Sequence, residues 1–190
     1  MDNLSIMIVG VGGQGTLLAS KIMGSVFTKK GYDVKVSEVH GMSQRGGSVV
    51  TYIKIGKKVY SPVIELGEAD VIISFEQLEA ARWTPYLKTS GKMIINLQKI
   101  DPMPVITGAM KYPEEIIEKI KDLDINEIEV DALKLAVEAG SPKAVNVVLL
   151  GVIAKSLPAE KQDWIKAVEE IVPQKFLELN LVAFEKGYNY

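Results

Sequence analysis

Cysteine is absent from the 190-residue chain, and histidine occurs once, at position 40. The missing cysteine excludes disulfide bonds, thiolate zinc sites, a cysteine nucleophile and cysteine-bound iron–sulfur clusters within this chain. With a single histidine, a metal site would need mainly carboxylate ligands, and a Ser-His-Asp triad would have to use His40. A strong charge excess is missing too. The 22 basic and 24 acidic residues argue against a nucleic-acid-binding protein, which normally has a strongly basic face.

The sequence also lacks the patterns of a signal peptide and of a membrane span. It begins Met1-Asp2-Asn3-Leu4, without the positive charges of a signal peptide. The long uncharged stretch at residues 5–20 is interrupted by glycines and a glutamine, so we do not expect it to cross a membrane. With 47% hydrophobic residues, the chain is rich enough in apolar side chains to form a core. We therefore expect a soluble, cytoplasmic protein with a single domain over residues 1–190.

The order of apolar patterns predicts a three-layer α/β domain. Short apolar runs, typical of buried strands, alternate with segments of helical periodicity. The predicted strands are 6–9, 33–39, 70–74, 92–97 and 127–130, and the predicted helices are 16–30, a helix from 76 that restarts at 84–85, 113–121, 143–155, 159–171 and 173–186. Residues 48–55 and 59–64 flank Gly56-Lys57-Lys58 and predict an antiparallel β-hairpin. We expect a Rossmann-like fold with a largely parallel sheet and this one antiparallel hairpin.

A glycine-rich loop joins the first predicted strand to the first predicted helix. Its pattern, G-x-G-x-x-G, lets backbone amides approach a pyrophosphate at a helix N-terminus, and Glu38 lies where a ribose-binding acid could stand. The loop is therefore compatible with a stand-alone dinucleotide-binding oxidoreductase. Its glutamine side chain could equally fix the loop or meet a partner, and its glycines could serve only tight strand–helix packing. The candidate binding residues of this loop are Gly10, Gly12, Gly13, Gln14 and Gly15.

A second glycine-rich loop follows the strand 33–39, so we expect it at the same edge of the sheet as the first loop. Arg45 could bind a carboxylate or phosphate in bidentate fashion, and His40 could act as a general base or simply orient its neighbours. Both are weak catalytic candidates. The candidate binding residues of this loop are Ser43, Gln44, Arg45, Gly46 and Gly47.

Charge is unevenly distributed along the chain. Residues 29–58 contain seven basic and two acidic side chains (7 − 2 = +5), whereas residues 113–138 contain three basic and nine acidic ones (3 − 9 = −6). This asymmetry allows an anionic ligand or an acidic partner near the N-terminal half, or simply two solvated faces.

Together, residues 10–15 and residues 37–49 resemble the γ-type domain of the 2-oxoacid:ferredoxin oxidoreductases. The similarity is greatest to the small (β) subunit of indolepyruvate ferredoxin oxidoreductases. Supporting matches are residues 60–64, residues 75–80 with Arg82, and the segment from Asn146 to Gly151. The Gln-Arg-Gly-Gly form of the second loop favours the arylpyruvate branch over the pyruvate-type γ subunits.

The resemblance implies a subunit of an enzyme rather than a complete enzyme. It implies a large partner subunit that holds thiamine diphosphate, magnesium and the iron–sulfur clusters, with no cofactor held by this chain alone. The implied reaction is the oxidative decarboxylation of aryl 2-oxoacids with coenzyme A as co-substrate and ferredoxin as electron acceptor. Glu76 and Asn96 would join the two loops on a rim that faces the large subunit. A non-catalytic assembly role stays open, and the isolated chain could form a homodimer.

Several side chains outside the loops allow two interpretations each. Glu76, Glu79 and Arg82 could be ordinary helix surface, with Glu79 and Arg82 forming an i,i+3 ion pair. The two tryptophans, Trp83 and Trp164, are expected to anchor packing or an interface. Asn146 lies in an almost wholly apolar helix, so it needs a hydrogen-bond partner, either inside the core or at the rim.

Overall fold

The computed structural model describes residues 3–41 and 46–190. Within these residues the chain forms six strands and eight α-helices. The strands are β1 (Leu4–Val11), β2 (Asp33–His40), β3 (Ser48–Gly56), β4 (Ala69–Ser74), β5 (Leu87–Asn96) and β6 (Asn126–Val130). The helices are α1 (Thr16–Lys29), α2 (Gln77–Trp83), α3 (Met103–Ile106), α4 (Ile116–Lys121), α5 (Ala132–Glu138), α6 (Val145–Ala154), α7 (Lys161–Ile171) and α8 (Gln174–Tyr188).

All six strands belong to one sheet, in the order β2-β3-β1-β4-β5-β6. The pairs β1–β4, β4–β5 and β5–β6 are parallel, whereas β3 is antiparallel to both of its neighbours, β1 and β2. The predicted fold class, a largely parallel sheet with an antiparallel hairpin, is confirmed.

Helices cover both faces of the sheet, which gives the three predicted layers. Successive side chains of a strand point to opposite faces, and β1 shows this directly. Ile6 and Ile8 pack with α1 and α5–α8, whereas Met7 and Val9 pack with α2 and α4. β1 is therefore buried on both faces, as its uninterrupted apolar sequence predicts.

The position of the predicted hairpin is wrong. The antiparallel partner that follows β3 in the prediction is replaced by β2, which pairs with β3 over the whole length of β2, from Asp33 opposite Gly56 to His40 opposite Val49. Residues 59–64 form no strand. Val59 and Ile64 are buried, Ile64 in the core on the α2 side of the sheet, while Val63 between them is exposed. The apolar residues of this segment thus contribute to the core without joining the sheet, and Pro62 lacks the N–H that a central ladder needs.

Most helix predictions are confirmed, with changes at the ends. Helix α1 stops at Lys29, and Gly31 follows with φ 84°, the left-handed conformation that glycine adopts readily. Helix α4 begins three residues later than predicted, because Glu115 has φ 59°. The restart at 84–85 is a single 3-10 turn, and α3 and α5 were not predicted. In the part of the chain that the structure describes, no helix is both long and apolar enough to cross a membrane.

Candidate functional site

The candidate site lies where four strands end at one edge of the sheet. Strands β1, β4 and β5 are parallel, and β2 runs in the same direction because it and β1 are both antiparallel to β3. Their last residues therefore meet at one edge, which we call the carboxyl rim. Ligands of open α/β sheets bind at this kind of edge.

Gln14 fixes the glycine loop to the rim. Its Oε1 accepts a hydrogen bond from the Val11 amide at 2.8 Å, and its Nε2 donates to the Phe75 carbonyl at 2.9 Å. Phe75 follows directly after β4, so one side chain ties the end of β1 to the end of β4. Of the two roles considered for Gln14, fixing the loop is the one that this geometry displays.

Glycine is required at both ends of this loop for steric reasons. A Cβ at Gly10 would lie 2.7 Å from Gln14 Oε1 and 2.9 Å from Phe75 Cβ. Gly15 has φ 82°, and a Cβ there would lie 2.6 Å from Asn146 Nδ2. That amide group donates to the Gly15 carbonyl at 3.2 Å. Asn146 thus finds its partner at the rim, where it holds the beginning of α1.

The two glycine-rich loops are bonded to each other. The Gly12 amide donates to the Gly47 carbonyl at 2.9 Å, and the Gly46 amide donates to the Gly12 carbonyl at 3.2 Å. We call these three residues the glycine junction. The described ends of the two loops thus lie at the same edge of the sheet, as the sequence predicts, and are in direct contact. The remaining candidates of the second loop, Ser43, Gln44 and Arg45, lie outside the described residues.

Beside the junction is an open cavity of about 290 Å³ that contains Glu38 and His40 in its wall. The Nδ1 atom of His40 lies 3.1 Å from the carbonyl oxygen of Gly41, and Thr51 Oγ1 donates to Glu38 Oε2 at 3.3 Å. This volume is at the lower end for small-molecule sites. The complete lining is Gly12, Gly13, Gly15, Thr16, Leu17, Glu38, His40 and Val49.

A second open cavity, of about 390 Å³, lies on the other side of the glycine loop. Lys143, in the 3-10 turn that precedes α6, contributes a positive charge to its wall, and Gln98 contributes an amide. The glycine loop therefore separates two small open depressions, neither of which encloses a ligand by itself.

Glu76 is a buried carboxyl group at the beginning of α2. Its side chain accepts a hydrogen bond from the Glu79 amide and so caps the helix, and Tyr112 donates to Glu76 Oε2 at 3.3 Å. Burial raises the pKa of Glu76 above its ordinary value and outweighs the hydrogen bonds from the Glu79 and Leu78 amides, which lower it. Burial of the Tyr112 side chain, together with the nearby Glu76, raises the pKa of Tyr112. The interpretation of Glu76 as helix surface is wrong.

Asn96 is fully buried at the end of β5 and joins three elements. Its Nδ2 donates to the Phe75 carbonyl at 2.9 Å, and its Oδ1 accepts from the Ala132 amide at 3.1 Å. The Phe75 carbonyl thus receives hydrogen bonds from both Gln14 and Asn96. Asn96 therefore stabilises the rim from within the core. Contact between Asn96 and a ligand stays a prediction.

Sequence reasoning missed the role of Glu79. The predicted ion pair with Arg82 is present, with Arg82 Nε at 3.0 Å from Glu79 Oε1, but the Glu79 side chain is only 3% exposed. Its Oε2 also accepts from Ser48 Oγ at 2.5 Å and from Trp83 Nε1 at 3.0 Å. The i,i+4 spacing of Glu79 and Trp83 was visible in the sequence, whereas the contact with Ser48 depends on the tertiary fold.

The positive charge of residues 29–58 is partly balanced in space. Four of its lysines form ion pairs, three of them with acids from elsewhere in the chain: Lys29–Glu170, Lys30–Asp163, Lys54–Glu68 and, within the segment, Lys35–Asp33. The asymmetry of the sequence therefore does not translate into an equally basic surface. Among the described residues, no group of three or more His, Cys, Asp or Glu side chains could hold a metal ion.

Comparison with known proteins agrees with this architecture. The family model described as pyruvate ferredoxin/flavodoxin oxidoreductase matches residues 5–190. The indolepyruvate oxidoreductase subunit IorB of Pyrococcus horikoshii is 41% identical over 98% of this chain and 95% of its own length. The protein of the same name from Thermococcus kodakarensis is also 41% identical with the same coverage. The pyruvate/ketoisovalerate oxidoreductases common subunit gamma of T. kodakarensis is 28% identical over 98% of this chain and 96% of its own length.

Two solved structures have the same fold. A pyruvate oxidoreductase subunit from Thermotoga maritima matches all of this chain and 97% of its own, with a TM-score of 0.77 and 19% identity. A 2-oxoglutarate:ferredoxin oxidoreductase from Magnetococcus marinus, described with 2-oxoglutarate, coenzyme A and succinyl-CoA bound, matches with a TM-score of 0.76 and 17% identity. The match covers all of this chain but 31% of the Magnetococcus chain. On the family match and the 41% identity, the chain belongs to the pyruvate ferredoxin/flavodoxin oxidoreductase family.

Proposed function

We propose that this chain is the small subunit of an indolepyruvate (arylpyruvate):ferredoxin oxidoreductase. The observation that carries the proposal is a contrast within one organism. The chain is 41% identical to the indolepyruvate oxidoreductase subunit of T. kodakarensis but only 28% identical to that organism's common γ subunit. Both alignments cover 98% of this chain, so the difference in identity does not come from a difference in aligned length.

The proposed reaction converts an aryl 2-oxoacid and coenzyme A into an arylacetyl-CoA and carbon dioxide. The bond between the carboxylate and the keto carbon breaks, a thioester bond forms, and two electrons pass to two ferredoxins with release of one proton. Thiamine diphosphate with magnesium, in a larger partner subunit, would supply the electron sink for the decarboxylation. Iron–sulfur clusters in that partner would carry the electrons, since this chain has no cysteine to ligate them.

The contribution of this chain is to complete and close the active site of the large subunit. Two observations support this division. The depressions on either side of the glycine loop, about 290 and 390 Å³, are open and small for a site that takes both an aryl 2-oxoacid and coenzyme A. In the Magnetococcus protein, the matching fold makes up 31% of a longer chain.

Within such a complex, the two loops position anionic groups. Amides of the glycine loop and the guanidinium of Arg45 are suited to carboxylates and phosphates, because both offer N–H donors to several oxygen atoms. His40, at the wall of the first cavity, is the candidate for moving a proton. The buried side chains of Glu76 and Asn96 keep the rim in place.

The test is affinity purification of the tagged chain from its native lysate under anaerobic conditions. We expect a larger subunit to co-purify, with broad iron–sulfur absorbance and dye reduction that depends on an arylpyruvate and coenzyme A. Activity with pyruvate in place of arylpyruvate would contradict the substrate assignment. A colourless chain that purifies alone would contradict the subunit assignment and favour the alternative, a stand-alone dinucleotide-binding oxidoreductase.

A further inference from the structure

Glu79 is a buried carboxylate to which the proposed reaction assigns no role. It receives three side-chain hydrogen bonds, and two of them, from Arg82 and Trp83, come from its own helix. The third comes from Ser48 Oγ, 31 residues away in sequence and 2.5 Å away in space. This contact is charge-assisted and partly buried, so it should be one of the stronger hydrogen bonds of the rim.

Ser48 connects this carboxylate to the place where the two loops meet. It is the first residue of β3 and pairs with Val11, the last residue of β1. Gly47, directly before Ser48, accepts the Gly12 amide, and Gly46 donates back to the Gly12 carbonyl. A displacement of Ser48 would therefore move one half of the glycine junction relative to the other.

The geometry points to Glu79 as a positioning residue, which holds the second loop against the glycine loop through Ser48. In this role Glu79 acts through its contact with Ser48. The inference rests on the proposed function for its catalytic consequence, because a loosened junction should weaken the placement of substrate rather than the chemistry of the large subunit. We expect a higher KM for the 2-oxoacid or coenzyme A, with a smaller effect on kcat.

The experiment uses four variants of the full chain in the reconstituted complex. Ser48→Ala removes the hydroxyl, Ser48→Thr keeps it, and Glu79→Gln replaces the carboxylate by an amide. Arg82→Ala is the matched control, because it removes another partner of the same carboxylate without changing Ser48. Hydrogen exchange of the Gly12 and Gly46 amides reports on the junction directly and needs no activity.

We expect Ser48→Ala and Glu79→Gln to raise the exchange rates of the Gly12 and Gly46 amides about tenfold and KM severalfold. Combining these two substitutions should add little, since both remove one contact. Ser48→Thr and Arg82→Ala should remain close to the wild type in both measurements. Wild-type exchange in Ser48→Ala, or equal losses in Arg82→Ala, would overturn the inference. Failure of the wild-type complex to oxidise arylpyruvates would instead refute the proposed function, and the exchange data would still decide the role of Glu79.

Discussion

The carbonyl group of Phe75 organises the rim at the level of single residues. It accepts hydrogen bonds from Gln14 at 2.9 Å and from Asn96 at 2.9 Å, so both lone pairs of a buried oxygen are used. The Phe75 amide in turn donates to the Val9 carbonyl at 2.8 Å. Primary amides suit these two positions because each has one donor end and one acceptor end. A carboxylate at either position would place a second acceptor against the carbonyl.

Glu76 gives a prediction about pH. Burial, the largest cause, raises its pKa, so the native state keeps a proton that the unfolded chain has lost at the same pH. The native protein therefore loses stability as the pH rises from the ordinary value of 4.5 through the raised pKa. Glu76→Gln removes this titration while it keeps an oxygen to cap α2. We expect the stability of this variant, relative to the wild type, to increase over that pH interval.

Urea unfolding at a series of pH values between about 4 and 8 measures this difference. Glu178→Gln, on the exposed surface of α8, controls for the loss of one carboxylate. A constant difference between Glu76→Gln and the wild type over the whole range would contradict the raised pKa.

Two glycines determine how closely α6 and α8 pack at the level of elements. A Cβ at Gly187 would lie 2.0 Å from the Val148 carbonyl oxygen, and one at Gly151 would lie 2.3 Å from the Phe184 carbonyl oxygen. The backbones of the two helices are therefore in direct contact. Because α6 also carries Asn146, which holds Gly15, this packing sets the position of the glycine loop.

We expect Gly187→Ala to destabilise the fold by about 1–3 kcal/mol, since the two helices must separate to admit the methyl group. Gly24→Ala is the matched control within α1. Its Cβ would meet one atom, Val34 Cγ1 at 4.0 Å, so the gain in helix propensity of up to about 1 kcal/mol should dominate. Thermal or urea unfolding of both variants measures the two effects. A Gly187→Ala protein as stable as Gly24→Ala would show that the α6–α8 contact adapts easily.

Periodicity predicted the elements well but not which of them pair. The apolar runs of β1, β4 and β5 identify buried strands because both faces of these strands are covered by helices. The same signal failed at residues 59–64, which form no strand although Val59 and Ile64 are buried. The short helices α3 and α5 escaped prediction because runs of 4 and 7 residues carry little periodicity.

The site was predictable at the level of motifs but not of individual contacts. Glycines next to strand ends indicated the rim, and the resemblance of both loops indicated the family. The contact of Ser48 with Glu79 and those of Asn96 with Phe75 and Ala132 were not predictable, because they join residues that are 21 to 36 positions apart. Such contacts follow from strand order, which a local pattern does not contain.

The strand order of the whole molecule also bears on dinucleotide binding. In dinucleotide-binding domains, the strand that carries the ribose-binding acid adjoins the strand before the glycine loop. Here β3 lies between β1 and β2, which places the strand of Glu38 about 10 Å from β1 instead of about 5 Å. Glu38 lines the cavity beside the glycine loop, but its carboxylate also accepts a hydrogen bond from Thr51. The glycine motif is thus present, but the strand that carries the acidic residue does not adjoin β1 as it does in dinucleotide-binding domains.

We therefore expect the isolated chain to bind NAD(H) and NADP(H) weakly or not at all. A ligand at 100 times its Kd stabilises a protein by about 2.7 kcal/mol, which raises the Tm of a chain of this size by several degrees. At about 1 mM dinucleotide, a Tm increase below about 1 °C would correspond to a Kd near 1 mM or weaker. A dehydrogenase of known affinity serves as the positive control in the same thermal scan. An increase of several degrees with this chain, abolished by Glu38→Ala, would contradict this expectation and show that the chain binds a dinucleotide although β3 lies between β1 and β2.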